Sequence, residues 1–482
     1  MSLWEGKKKM IESSPRTIDE TVKKMNESFR AQECLPLSHR ASQLCALRRM
    51  LRDNAEELCS AVHKDLGKPR EETLMMEIGL VINEINYVLP RMRCWASRHY
   101  LISPWTTWPA CSWTKCEPEG VALIISPWNY PILLSLEPMV DAIAAGCPVI
   151  LKPSDISPNT SEKLEELLSE YMDVNQVQVL QGGRGVNQKL LSHHFGRLFF
   201  TGGKKVGSIL MGLAAKTLTP VTLELGGKSP CYVGSSSNLK AVARRIAWGK
   251  FINAGQTCVA PDYCLTSKEL AEPLAEEIGK ALERFFGPDP RESESYGRII
   301  SDRQFDRLIS LLPSSDPLAG ALAFGGSFDK DDRYIAPTVL VDCDPRCKAM
   351  QDEIFGPILP IVCVKDAVDA IDFINDRPDP LALYVFDKDP KIQRMFEKRT
   401  QSGSLELNVT LAQLSSSRLP FGGIGESGMG HYHGKAGFLE FSHTKSVMEK
   451  PLWPETLRFV MPPYDKLKDA LVSLVSSTPF KR

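Results

Sequence analysis

Cys258 lies in the run Phe251-Ile252-Asn253-Ala254-Gly255-Gln256-Thr257-Cys258-Val259-Ala260, where an aromatic and apolar entry gives way to small and amide-bearing residues. A thiol without bulky neighbours leaves room for an electrophilic carbon to reach sulfur. Thiolate is available near neutral pH and leaves readily from an acyl intermediate. Attack of such a thiolate on a carbonyl carbon gives a tetrahedral adduct and, once a group leaves that carbon, a thioester. Hydrolysing the thioester needs a base beside water. Glu224 in Val221-Thr222-Leu223-Glu224-Leu225-Gly226-Gly227-Lys228 offers a carboxylate, and the glycines after it let backbone approach a ligand closely. In a dry cleft such a carboxylate has a raised pKa and can accept the proton. Taken singly, a free cysteine is more often buried and inert, and the other twelve cysteines, Cys264 included, read as packing residues.

Asn129 stands in Ser126-Pro127-Trp128-Asn129-Tyr130-Pro131, directly after an apolar run. An asparagine there is usually a turn residue, but its amide N–H groups, with the backbone N–H of Cys258, also suit the charge that develops on a substrate oxygen. One such donor is typically worth about 2.7 to 4 kcal/mol.

Elements that position these residues follow from the hydrophobic pattern. Apolar residues from Thr17 to about Arg98 fall at helical spacing, with a break at Leu35-Pro36-Leu37. Met75, Met76, Ile78, Leu80, Ile82, Ile85 and Val88 read as one buried helical face. Beyond Gly120 short apolar runs alternate with helical patterns, as in a parallel sheet with crossover helices. Strands are expected at Val121 to Ser126, Val149 to Lys152, Gln176 to Leu180, Leu198 to Thr201 and Val221 to Leu225, with helices starting near Pro131, Pro158, Val186 and Lys204. A second alternating region runs from Ser229 to about Thr410, with strands near Ile361 to Val364 and Leu383 to Phe386 and helices at Leu239 to Phe251 and Glu269 to Phe285. Glu224 and Cys258 then face each other across a cleft between two α/β units. A glycine-rich stretch follows, then an extended segment near Phe438 to Val447.

Phe200-Thr201-Gly202-Gly203-Lys204-Lys205-Val206-Gly207 is a glycine-bearing turn from strand to helix, and the helix N-terminus near Lys204 offers free N–H groups to a diphosphate. It does not fit G-x-G-x-x-G, so read alone it is weak.

The runs L-E-L-G-G-K and G-Q-T-C-V-A, with P-W-N-Y-P, A-P-D-Y, E-I-F-G-P and L-P-F-G-G, resemble the signatures of the NAD(P)-dependent aldehyde dehydrogenases, from about Thr21 to about Lys445. The details resemble the class-three branch, whose members take aromatic, medium-chain and fatty aldehydes. The resemblance implies a Rossmann-like cofactor domain (1–102 and 117–225), a catalytic α/β domain (226–410), a small β bridging arm for oligomerisation (103–116 and 411–450) and a tail (451–482). It implies Cys258 as nucleophile, Glu224 as base and Asn129 as oxyanion donor. It places the cofactor against Gly202, Gly203, Lys204, Lys205, Val206, Gly207, Leu225 and Gly226, and puts Glu353 and Phe355 of E-I-F-G-P at the nicotinamide ribose and ring. Lys152-Pro153-Ser154-Asp155 matches a K-P-S-E turn at the adenosine ribose, where Lys152 and an acid meet the hydroxyls. Here the acid is Asp155, one methylene shorter. A carboxylate at the 2'-hydroxyl repels a 2'-phosphate, so NAD is expected as the favoured cofactor with NADP also used. The Trp-rich segment Ser103 to Pro109 implies an arm against a second subunit, its aromatics alternatively capping the local core, and a homodimer is expected.

With 58 basic and 59 acidic residues in 482, nothing suggests a nucleic-acid partner. Thirteen cysteines without a C-x-x-C pair indicate reduced thiols and a cytoplasmic setting. No stretch reaches the roughly 18 to 20 apolar residues of a membrane span. Residues Met1 to Arg16, with Lys7-Lys8-Lys9, do not read as a secretory signal, and Leu471, Val472, Leu474 and Val475 form an apolar cluster in the tail. His431 and His433 bracket Tyr432 without a third ligand, so no metal is expected. Two rival readings are a CoA-acylating dehydrogenase, against which Glu224 argues, and a crystallin-like structural role.

Overall fold

The computed structural model describes residues 11–236, 238–468 and 470. The lysines at 7–9 and the apolar cluster at 471–475 lie outside the described residues. Ser14 caps the first helix, Pro15–Arg30, by accepting from the Thr17 N–H, and Ile18, Val22 and Met25 bury one stripe of it. Leu37–Asp53 follows after the break at Leu35-Pro36-Leu37, and Ala55–Leu66 comes after Asn54.

Met75 departs from the expected buried face. Residues Leu74–Ile78 form a wider π-helical turn, which rotates the stripe so that Met75 is exposed while Met76 and Ile78 are buried. The same turn aims Glu77 fully inward. Ile82 is half-buried.

A six-stranded sheet carries the first α/β unit. Its spatial order is Gly428–Met429, Val221–Glu224, Arg197–Thr201, Ala122–Ile125, Val149–Lys152 and Val177–Val179. All neighbours are parallel except the first pair. The five parallel strands are the five expected. Strand order reverses between Ala122–Ile125 and Arg197–Thr201, and ligands of such sheets bind at the carboxyl ends beside that reversal. Asn129 follows one of these strands and Gly202 the other.

The second unit is a seven-stranded sheet ordered Ala321–Phe324, Thr338–Val341, Ile358–Cys363, Tyr263–Thr266, Pro230–Val233, Ala382–Phe386 and Ser404–Leu407. Five of these strands were not foreseen, since short fully buried runs such as Cys231 to Val233 carry no alternation to read. Leu239–Phe251 is a helix with the expected bounds, capped by the Asn238 side chain.

His99–Leu101, Cys111–Pro118 and Ser442–Glu449 form a separate antiparallel sheet, the arm. This corrects two expected boundaries. Residues 99–101 pair into the arm, not the cofactor unit. Much of 411–441 instead belongs with the cofactor unit, because Gly428–Met429 pairs with Leu223 and Glu224 and Gly434–Glu440 is a helix against Leu133–Ala145. Phe438 to Glu440 are therefore helical, and the extended segment begins at Ser442. Trp105 and Trp108 are exposed and cap no local core. Among the described residues no helix is long and apolar enough to cross a membrane.

Candidate active site

A cleft of about 490 Å³ opens between the two α/β units, and Asn129, Glu224 and Cys258 all line it. Gly202, Gly203, Lys204, Lys205, Leu225, Gly226, Glu353 and Phe355 line it as well. Val206 is exposed, and Gly207 lies on the buried face of the helix Lys204–Ala214, where a Cβ would meet the Leu225 side chain at 2.8 Å. Neither reaches the cleft wall. Lys152 and Asp155 stand apart from it, at the end of Val149–Lys152. Lys152 is buried with Nζ donating to the Gly182 carbonyl at 3.0 Å, and Asp155 is exposed.

The nucleophile loop is held by its amides. Asn253 and Ala254 adopt φ of 53° and 50° and Gly255 74°, a left-handed turn that side-chain-bearing residues adopt at a cost of order 1–3 kcal/mol each. A Cβ on Gly255 would lie 2.2 Å from the Gly356 carbonyl, so only glycine lets this turn sit against E-I-F-G-P. Gln256 donates to the Asn253 and Arg298 carbonyls and accepts from the Ile300 N–H. Tyr130 and Thr257 share a hydrogen bond of 2.8 Å, and the Tyr384 hydroxyl donates to the Val259 carbonyl at 2.5 Å. These five anchors fix Cys258 at the cleft edge. Burial, then the Glu353 and Glu224 carboxylates, push its thiol up to about 12, while the N–H groups of Cys258 and Val259 favour the thiolate.

Asn129 is buried. One side-chain amide N–H donates to the Gln256 carbonyl at 3.0 Å, and the Asn129 backbone carbonyl accepts from Lys68 Nζ and from Asn253 Nδ2, each at 2.9 Å. Lys68 pairs with Glu77 at 2.6 Å, both wholly buried. Glu77 also accepts the Ile132 N–H at 2.9 Å, near the start of Leu133–Ala145. A buried ion pair thus backs Asn129, which in turn is bonded to the Cys258 loop at Gln256 and Asn253.

Both carboxylate oxygens of Glu224 are buried without a protein hydrogen-bond partner. Burial first, then Glu440, raises its pKa well above the ordinary carboxylate value. Glu353 is held at about 8, again chiefly by burial. Its loop is pinned by Asp262, which accepts the Ile354 N–H at 2.9 Å and pairs with Lys228, and by Arg307, which donates to the Glu353 and Ile354 carbonyls. Phe355 sets its ring edge-on to Trp128 at 5.4 Å. Trp128, Gln304, Arg307 and Asp352 also line the cleft and were not foreseen. Trp128 lay inside a recognised motif, whereas Gln304 and Arg307 sit on an amphipathic helix that carries no signal. His433 is buried with Nε2 3.3 Å from Glu137, while His431 is exposed.

A profile of the aldehyde dehydrogenase family matches residues 7–447, across both α/β units and the arm. The chain belongs to the aldehyde dehydrogenase family. It is 44% identical to the rat "Aldehyde dehydrogenase, dimeric NADP-preferring" over 91% of this chain and 96% of that protein. It is 44% identical to the human "Aldehyde dehydrogenase family 3 member B1" over 89% and 91% of the two chains. The solved structure of the Staphylococcus aureus aldehyde dehydrogenase, in a substrate-bound state, superposes with a TM-score of 0.91 at 38% identity, covering 95% of this chain and 99% of that one. The class-three branch expected from the motifs is the one these curated relatives represent. As an aldehyde dehydrogenase the chain is an NAD(P)-linked oxidoreductase.

Proposed function

We propose that the protein oxidises aromatic, medium-chain or fatty aldehydes to carboxylic acids, with Cys258 as nucleophile, Asn129 and the Cys258 backbone N–H as oxyanion donors, and Glu224 as base. Convergence of Cys258, Glu224 and Asn129 on one cleft carries this reading. The Cys258 sulfur bonds to the aldehyde carbon as the thiolate, its proton lost to solvent and its charge favoured by the N–H groups of Cys258 and Val259, which leaves Glu224, buried with both oxygens unpaired, free for the water step. The second amide N–H of Asn129 meets the oxyanion. Bound NAD(P)+ supplies the hydride acceptor that turns the thiohemiacetal into a thioester. Water then bonds to the acyl carbon as the C–S bond breaks, and Glu224 accepts the water proton, releasing the acid and the free thiol.

The residues present suit that dinucleotide. Gly203 caps the helix Lys204–Ala214 with nothing within 4 Å of its Cβ position, so the helix N-terminus is open to a diphosphate. Gly226 leaves no room for a Cβ beside Glu353, consistent with a shallow floor for a ring and ribose. Lys152 and Asp155 would hold the adenosine ribose, with NAD favoured and NADP accepted. A homodimer is supported by the exposed Tyr100, Leu101, Ile102, Trp105 and Trp108 of the arm. Thirteen free cysteines support a reducing, cytoplasmic setting.

Cys258→Ala tests the assignment. Aldehyde-dependent NADH formation should vanish, and undiminished turnover would refute it. Acyl-CoA appearing when CoA replaces water as acceptor would favour the CoA-acylating alternative.

A further inference from the structure

Glu12 lies in the short strap that enters the first helix, and the strap is tied to the edge of the cofactor sheet. Ser13 donates its N–H to the Gln181 carbonyl at 2.9 Å, and its hydroxyl accepts the Gln181 N–H at 3.0 Å. The helix behind it, Pro15–Arg30, buries Ile18, Val22 and Met25 in one apolar cluster with Ile150, Leu180 and Val186, so the strap has a fixed floor. Glu12 Oε1 accepts the Gly183 N–H at 3.1 Å. A Cβ on Gly183 would lie 2.9 Å from Asp155 Oδ2 and 3.5 Å from Glu12 Oε1, so two carboxylates flank one point beside this glycine. The neighbouring cation is Lys152, and its ammonium is already engaged by the Gly182 carbonyl. Asp155 and Glu12 are the two charges that favour its protonated form against burial.

We propose that Glu12 is a specificity-determining residue of the adenosine end of the cofactor site, acting with Asp155 to disfavour a 2'-phosphate and bias the enzyme toward NAD+. This rests on the reading of Lys152 and Asp155 as the ribose contacts. A 2'-hydroxyl donates a hydrogen bond to a carboxylate, whereas a phosphomonoester brings further negative charge of about 1.5 to 2 units into the field of both acids. One lysine faces two carboxylates here, and the second comes from a segment that precedes the first helix.

Glu12→Gln keeps the oxygen that accepts from Gly183 and removes only the charge. Calorimetric titration of the full-length protein with NADP+ and with NAD+ reads the ratio of the two dissociation constants, alongside the ratio of their kcat/KM values. The NADP+/NAD+ ratio of dissociation constants should fall about threefold to tenfold at low salt, and the change should shrink at about 0.5 M salt. An unchanged ratio in Glu12→Gln, while Asp155→Asn does shift it, overturns the role of Glu12 and leaves the ribose assignment standing. An unchanged ratio in both variants overturns the ribose assignment and this inference together.

Discussion

Lys68 and Glu77 form an ion pair with no solvent exposure on either side chain, at 2.6 Å, and removing one partner should be costly in a way that separates stability from catalysis. In Glu77→Gln the Lys68 ammonium stays buried without its counter-charge, and breaking a buried pair from one side costs about 3 to 5 kcal/mol. Lys68→Met exposes Glu77 to the same penalty and also leaves the Asn129 carbonyl with one donor, Asn253, in place of two. Replacing both with Met removes the two unpaired charges. What remains is the loss of the bonds these charges made to the Asn129 carbonyl, which keeps Asn253, and to the Ile132 and Leu133 N–H groups, about 1 to 3 kcal/mol for each group left unmet. The double variant should therefore be less destabilised than the two single changes together, with a coupling of about 0.5 to 3 kcal/mol. Its catalysis should not recover. Asn129 would be held from behind by Asn253 alone, and a displacement of about 1 Å at such a donor costs on the order of 10²-fold. Urea unfolding of all four proteins gives the cycle, and kcat/KM for a simple aromatic aldehyde gives the second axis. Additive stabilities would refute the ion-pair argument, and full activity in the double variant would refute the link from Lys68 to Asn129.

Glu406 is buried on the edge strand beside Tyr384, with its carboxyl raised to about 7 by burial. The folded state then binds a proton that the unfolded chain has released, so stability is present below about pH 4.5 and falls as pH rises to about 7, by about 3 kcal/mol. Glu406→Gln should flatten this slope, matching the parent Tm at pH 5 and exceeding it at pH 8. A parallel pH–Tm curve would contradict the cause assigned. At Gly226 a Cβ would sit 1.9 Å from Glu353 Oε2, so Gly226→Ala must displace that carboxylate. A loss of about 10²-fold in kcat/KM for NAD+ is expected, and a change within about twofold would show that Glu353 gives way freely.

The five parallel strands of the first sheet were legible because each is a short apolar run bounded by turn residues, and the residues after them fell at carboxyl ends as expected. Cys258, Glu224 and Asn129 were legible through motif and local chemistry. What holds them was not. Lys68 is one charged residue among many in a helical region, and nothing local to Lys68 or Glu77 shows that a π turn buries one against the other. Met75 failed for the same reason, since periodicity assumes an uninterrupted α-helix. The Gly428–Met429 strand, two residues long, is created by its partner Val221–Glu224 and has no pattern of its own. Arg307 reaches the Glu353 loop only through tertiary folding, and Glu12 looks like part of a polar leader until Ser13 is seen bonded to Gln181.

The account stands on an acyl group carried by Cys258 and released by Glu224. Rapid mixing of Glu224→Gln with an aromatic aldehyde and NAD+, followed by intact and peptide mass spectrometry, tests this directly. The expected result is a burst of about one NADH per active site, slow turnover thereafter, and an acyl adduct on the peptide bearing Cys258. Steady turnover at the parent rate without an adduct, or an adduct on another cysteine, would contradict it.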